Sequence, residues 1–320
     1  DIVFGDWSSD VCSSDLKKAE AYREDLLAAI ERSILLSPVC QVRDGTYHSF
    51  VPFGCYVRGF ASEGWNWRRP GSPGHVNGLY WDTVQSALPL FSPAGLLPPS
   101  DVRVQGFLDV LEDRLLLENE RLTVRTPGYD PERDWLAHAG WQYQCGLERQ
   151  ANLAMAADDA PCFLRTTLNQ YAVDIIPGDY NFREHTVGGP PDKSFEESAF
   201  LERFRDLLVY EAGNELWLCR AAPREWLKQG QRISVKPAPT VFGEVSYEVV
   251  SSVERGYITA IISLPEREVP GAVVLRLRHP EQLPIKSVTV EGTPWEDFSP
   301  ASETIRLTGL SGEVRVRIQY

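Results

Sequence analysis

The sequence lacks the features that define several large functional classes. It has a single Met, and no two of Cys12, Cys40, Cys55, Cys145, Cys162 and Cys219 form a CxxC pair or a zinc-ligand spacing. No metal site is therefore expected, and scattered cysteines read as small buried hydrophobes. There is no Asn-x-Ser/Thr sequon. No apolar run approaches the ~20 residues of a membrane-spanning helix, so no bilayer crossing is expected. Bases are few: 32 against 45 acids, for a net charge of −13. Such a surface repels phosphate backbones, so nucleic acid is not an expected partner, and acidic polysaccharides are disfavoured unless a groove is locally basic. GxSxG, GxGxxG, Walker and HExxH motifs are all missing, and no cofactor is expected.

What remains is a globular composition, 43% apolar and 24% charged over 320 residues, with nine Trp and twelve Tyr. That length suits two domains. The opening segment 1–16, DIVFGDWSSDVCSSDL, repeats the unit SSD and has neither a helical period nor the regions of a signal peptide. It resembles translated sequencing-adapter read-through, and is read as a disordered artefact. Its four aspartates removed, the remainder carries −9, with five cysteines, an odd number that argues against a disulfide framework.

From Lys17 to about Tyr210 the apolar spacing is helical. Tyr22, Leu26, Ile30 and Ile34 mark one helix; Val76 to Phe91 and Val104 to Leu116 carry two more. Trp141 to Ala157 reads as a helix buried all round. Phe163 to Tyr171 follows, opened by Pro161, and Phe200 to Leu208 ends the series, with Ser194 and Glu197 spaced as a capping box. After Gly213 the period becomes two, over 215–220, 233–236, 244–253, 257–264, 273–277, 288–290 and 314–318. Alternating faces predict antiparallel sheets over one core, with Arg276, Arg278, Arg315 and Arg317 on a solvated outer face. The fold class is α then β, divided as 1–16, a helical domain 17–212, a junction 213–234 and a small β-sandwich 235–320.

The connections between helices run to about 38, 10, 20, 3 and 20 residues, where 2–8 is normal for packed helices. In a ring of helical hairpins the long ones would emerge together on one face, where sites are commonly built. They hold His48, His75, His138 and His185, with Trp65, Trp67 and Trp135, and Trp141 adjoins them. The aromatic first connection, which ends near Arg68 and Arg69, either packs under the ring or lines a cleft suited to sugar rings.

Glycosidic cleavage uses two carboxyl groups. The third long connection offers Asp179, Glu184 and Asp192; Glu184 lies between Arg183 and His185, which would orient and ionise a base. Asp130, in YDPERDW, is a weaker candidate that also reads as an N-cap. Glu148, on the helix expected to be buried, is either paired, with Arg149 or Arg165, or functional. Trp81 and Asp82, in LYWD on the second helix, are weaker still.

Three elements together resemble the six-hairpin glycosidases, (α/α)6 toroids that often carry a β-sandwich. These are the alternating connections, the segments GWQYQCGLERQ, FLRTTLNQYA and YNFREH, and the junction FLERFRDLLVYEAGNELWLCRAAPREWLKQG that leads into the strands. Six helices against the family's twelve imply the C-terminal half, a partial (α/α)6 toroid of about three hairpins. The resemblance implies a carbohydrate-active hydrolase acting on a neutral oligo- or polysaccharide, with Glu184 in the last long loop as catalytic base and Glu148 as second candidate. It implies that the partner acid lies in the other half, that this portion alone is inactive, and that it exposes apolar flanks and self-associates. Trp65, Trp67, Arg68, His75, Trp81, Asp82, His138, Trp141, Tyr143, Arg183 and His185 would bind substrate. Two other readings stay open: a polysaccharide lyase using Tyr143, His138, His185 and Arg183, and a non-catalytic glycan-binding protein.

Overall fold

A computed structural model describes residues 9–35, 39–41, 45–49, 96–105, 150–176, 178–183 and 191–320. Packing divides the chain into two compact units, 1–157 with 166–197, and 158–165 with 198–320. Helices come first and a β-rich region of two sheets follows.

In the first unit, α1 spans Ser9–Leu35 and so includes the last eight residues of the segment 1–16. Only the C-terminal part of its apolar stripe is covered: Ile30 and Ile34 are buried and Tyr22 is exposed. Its surface is tied by Arg23, which donates to Leu96 O at 2.8 Å, and by Glu31, 3.7 Å from Arg103. Val39–Gln41 (β1) and Tyr47–Ser49 (β2) pair antiparallel inside the first long connection. α2, Gln150–Ala156, buries Ala151, Leu153, Ala154 and Met155 and leaves Asn152 and Ala156 half-buried; the earlier part of the helix predicted over 141–157 lies outside the described residues. α3, Ala160–Asp174, opens with Pro161 in its first turn, where a missing N–H costs nothing. α4 is Ser194–Leu208. Its first intrahelical bond runs from Glu197 N–H to Lys193 O, so Lys193 rather than Ser194 occupies the cap position. The predicted helices over 76–91 and most of 104–116 lie outside the described residues.

The second unit takes in the start of α3, α4 from Ser198 onward, and a β-sandwich. Its strands are β3 Val209–Ala212, β4 Glu215–Leu218, β5 Arg232–Thr240, β6 Gly243–Ser252, β7 Tyr257–Ser263, β8 Ala272–Arg276, β9 Ser287–Val290, β10 Thr293–Trp295, β11 Phe298–Ser299, β12 Thr304–Leu307 and β13 Glu313–Gln319. One sheet has the order β10-β9-β13-β7-β6-β5, the other β11-β12-β8-β4-β3. The inward residues of the alternating strands meet between the sheets: Val245, Tyr247 and Val249 of β6, Ile258, Ala260 and Ile262 of β7, and Val314, Val316 and Ile318 of β13, against Leu216, Leu218, Val273, Leu275, Ile305 and Leu307. β5 is a nine-residue edge strand, and Pro237, Pro239 and a bulge between Val235 and Ala238 blunt it.

Three features depart from the sequence reading. The chain leaves helix at Leu208, and Val209–Ala212 is already a strand, so the five-stranded sheet draws in both β3 and β4. Second, β4 and β8 run parallel, because the chain crosses to the other sheet for β5–β7 and returns beside β4. Gly271 enters this pairing with its N–H 2.7 Å from Asn214 O, and a Cβ there would lie 2.7 Å from Asn214 Nδ2. Third, Arg315 and Arg317 are exposed as expected, but Arg276 and Arg278 are 5% and 7% exposed. β8 is buried on both faces, its outer one beside the turn that carries Asp158.

Candidate functional site

The sequence points to the connection between α3 and α4. Here the described residues form a tight, closed turn. Ile175 and Phe182 bridge antiparallel, Ile176 N–H donates to Asn181 O at 2.8 Å, and Tyr180 N–H donates to Ile176 O at 3.0 Å. Gly178 and Tyr180 take positive φ, 99° and 58°, which lets the chain reverse in so few residues. Phe182 is buried and meets the Tyr171 ring edge-on, with centroids 5.2 Å apart. Lys193 N–H donates to Phe182 O at 3.3 Å, so the two described ends that bracket 184–190 are held together. Arg183 follows the anchored Phe182 directly and is half-buried. Asp179 and Asp192 are exposed, as plain solvated loop acids are.

Of the residues assigned a catalytic or substrate-binding role, Arg183 is thus the one that falls within the described part. Glu184, His185, Glu148, Asp130, Trp65, Trp67, Arg68, His75, Trp81, Asp82, His138, Trp141 and Tyr143 all lie outside the described residues.

A second cluster went unseen in the sequence. Asp158, held at φ 64° in the turn between α2 and α3, receives both terminal nitrogens of Arg276 at 2.8 and 2.6 Å. Arg220 Nε approaches the same carboxylate at 3.3 Å. The Arg220 guanidinium lies 4.6 Å from the Tyr210 ring centroid and 4.4 Å from that of Trp217, which stands directly across from Tyr210 in the β3–β4 pair. Arg276 also lies over Trp217, at 5.1 Å, and donates to Arg220 O and Ser302 O. Burial pulls the Arg220 pKa down and pushes that of the Tyr210 phenol up. Next to it, Arg224 forms a fork-to-fork pair with Glu303 at 2.7 and 2.6 Å. Arg278 donates to Ala222 O at 2.6 Å, and burial, with Arg224 next in weight, lowers its pKa to about 10. The cluster holds no nucleophile, and both oxygens of Asp158 are occupied as acceptors. Its chemistry is that of a lock. Asp158 and Arg276 are 118 residues apart, and no sequence spacing links them.

At one end of the sandwich, the β7–β8 and β12–β13 connections enclose a cavity of 390 Å³ lined chiefly by Leu264, Pro265, Val269, Leu307 and Leu310. Glu266 and Ser311 supply its polar side chains, and no aromatic ring is there to stack on a sugar. Among the described residues no group of three His, Cys, Asp or Glu could hold a metal ion, and no helix is long and apolar enough to cross a membrane.

No family model matches the chain, and no curated protein matches it. A solved structure titled "Glycoside hydrolase" superposes with a TM-score of 0.31 at 10% sequence identity, over 55% of this chain and 31% of that one. The chain therefore spans about a third of that structure's length, and no residue correspondence is carried over from it.

Proposed function

We propose that the chain is part of a carbohydrate-active hydrolase that cleaves a neutral glycan, with Glu184 as the base and Arg183 and His185 holding it. In this reading the helices are a partial (α/α)6 toroid and the partner acid comes from helices preceding these. The observation that carries it is the anchored turn at the base of the α3–α4 connection, where Phe182 is packed on Tyr171 and bonded to Lys193. It holds together the two described ends that bracket 184–190, which suits the fixed geometry a general base requires, and those ends carry two cations, Arg183 and Lys193. A cationic frame favours an ionised carboxylate. The succession of helices and a two-sheet sandwich is also what the resemblance implies.

The test is reducing-end release from neutral polysaccharides by the full product of the native gene, beside its Glu184→Gln variant. The expected outcome is turnover in the parent and a loss of at least a hundredfold in the variant, with glycan binding retained. Unchanged turnover in Glu184→Gln removes Glu184 from the mechanism. Unsaturated products that absorb in the ultraviolet would replace hydrolysis by elimination.

A further inference from the structure

The last turn of α4 carries an acid in an unfavourable place. Asp206 is 9% exposed and its carboxyl makes no hydrogen bond among the described residues. Its nearest cation is Arg205, with Nη1 at 3.9 Å. That guanidinium is already committed: it donates to Val209 O at 3.2 Å and to Pro239 O at 2.9 Å, and lies 3.5 Å from Glu211. The other charges that bear on Asp206 are Glu202 one turn back, Arg203 on the same helix, and Glu211 on β3. Tyr210 of β3 also senses it, beneath Arg220. A like charge at i−4 and the negative end of the helix dipole both oppose a carboxylate at this position. The same turn is pinned to the β5–β6 hairpin, because Arg205 reaches Pro239 O and Glu211 accepts from Val241 N–H at 2.7 Å.

We propose that Asp206 is a protonation-controlled clasp: neutral, it lets the last turn of α4 stay packed on the β5–β6 hairpin, and ionised, it loosens that turn. The proposal is independent of the hydrolase reading. Burial, followed by Glu202, pushes this carboxyl up to about 7 from the 3.8 of a solvated aspartate. The closed form thus holds a proton that the open form has released. Its stability is complete below about pH 4, falls as pH rises towards 7, and levels off beyond.

Hydrogen exchange on the intact chain between pH 5 and 8, corrected for intrinsic rates, reads this directly. Protection across 202–212 and 239–243 is expected to fall by up to about tenfold per pH unit between pH 5 and 7, relative to 257–263 in the sheet interior. Asp206→Asn, which mimics the neutral acid, should show a flat profile and high protection throughout. The same slope in wild type and variant overturns the proposal, as does a flat wild-type profile. A carboxyl 13C titration of Asp206 in the wild-type chain is the second measurement: a midpoint at or above 6 supports the clasp, and one near 4 refutes it.

Discussion

The Asp158 lock makes a stability prediction with a definite size. Asp158→Asn keeps the volume and removes the charge that faces Arg276 and Arg220, both buried. Arg276 would keep its bonds to Arg220 O and Ser302 O, and its approach to Trp217, but would keep an acceptor for only one of its two terminal nitrogens at 158, the amide NH2 facing the other, with no negative charge opposite. Removing one partner of a buried ion pair costs about 3–5 kcal/mol, since the remaining charge is left desolvated. The low end applies here, because the Asp158 side chain is 39% exposed and water can reach the vacated position. A loss of about 3 kcal/mol is therefore expected, measured as a urea midpoint shift with unchanged slope. Trp217 sits within the cluster, so its fluorescence should report the same transition. The paired replacement Asp158→Leu with Arg276→Met should recover most of the loss, because apolar pairs often substitute for buried ion pairs. A change under about 0.5 kcal/mol in Asp158→Asn, the range of an ordinary surface substitution, would refute the lock and leave the pair an ornament of the surface.

Two further outcomes follow from buried groups in the sandwich. His279 packs on Tyr320 with ring centroids 4.9 Å apart, and its Nδ1 accepts from Glu281 N–H at 3.1 Å, so burial and this acceptor role both oppose protonation. Its pKa is lowered in the fold. The associated stability is present above pH ~6.5 and lost as pH falls, and thermal melts of His279→Gln should show a shallower decline on the acid side than the parent. Cys219 is fully buried against Tyr247, and burial pushes its thiol up to about 12. It should resist iodoacetamide at pH 8 in the native chain and react on unfolding; rapid native labelling, read by mass spectrometry, would contradict its placement.

Much of the sandwich was legible because period two reports burial on one face, and β6, β7 and β13 have one buried face each. The same rule misread β8. In VVLRLRH the arginines alternate with aliphatics as they do in β13, and alternation alone makes both solvated. Arg276 and Arg278 differ from Arg315 and Arg317 only through residues far away in sequence, Asp158 and the carbonyls of Ala221 and Ala222. β3 was hidden for a local reason: Leu207, Leu208 and Val209 continue the apolar stripe of α4, and nothing before Gly213 signals the change of period. In the connection after α3, the sequence singles out Glu184 from Asp179 and Asp192 by its neighbours Arg183 and His185. The structure adds that Asp179 and Asp192 are exposed and that Arg183 follows the anchored Phe182, while Glu184 lies outside the described residues.

The buried arginines also bear on what the β-sandwich can do by itself. A sheet face made of Tyr210, Trp217, Val274, Arg276 and Arg278 carries aromatic area and desolvated guanidinium groups together. Such a face is stable only when a carboxylate and an apolar cover are supplied with it. The chain supplies the carboxylate from the turn that opens α3, some fifty residues before the first strand of that sheet. Glycan-binding sheets need the opposite arrangement, with aromatic faces open to solvent and polar groups free to bond sugar hydroxyls. Trp217 has Arg220 and Arg276 over its ring and gives its N–H to Glu215 at 3.1 Å, so it is committed within the protein. The outer face of the five-stranded sheet is therefore committed within the chain, and its aromatic rings are not open to a glycan.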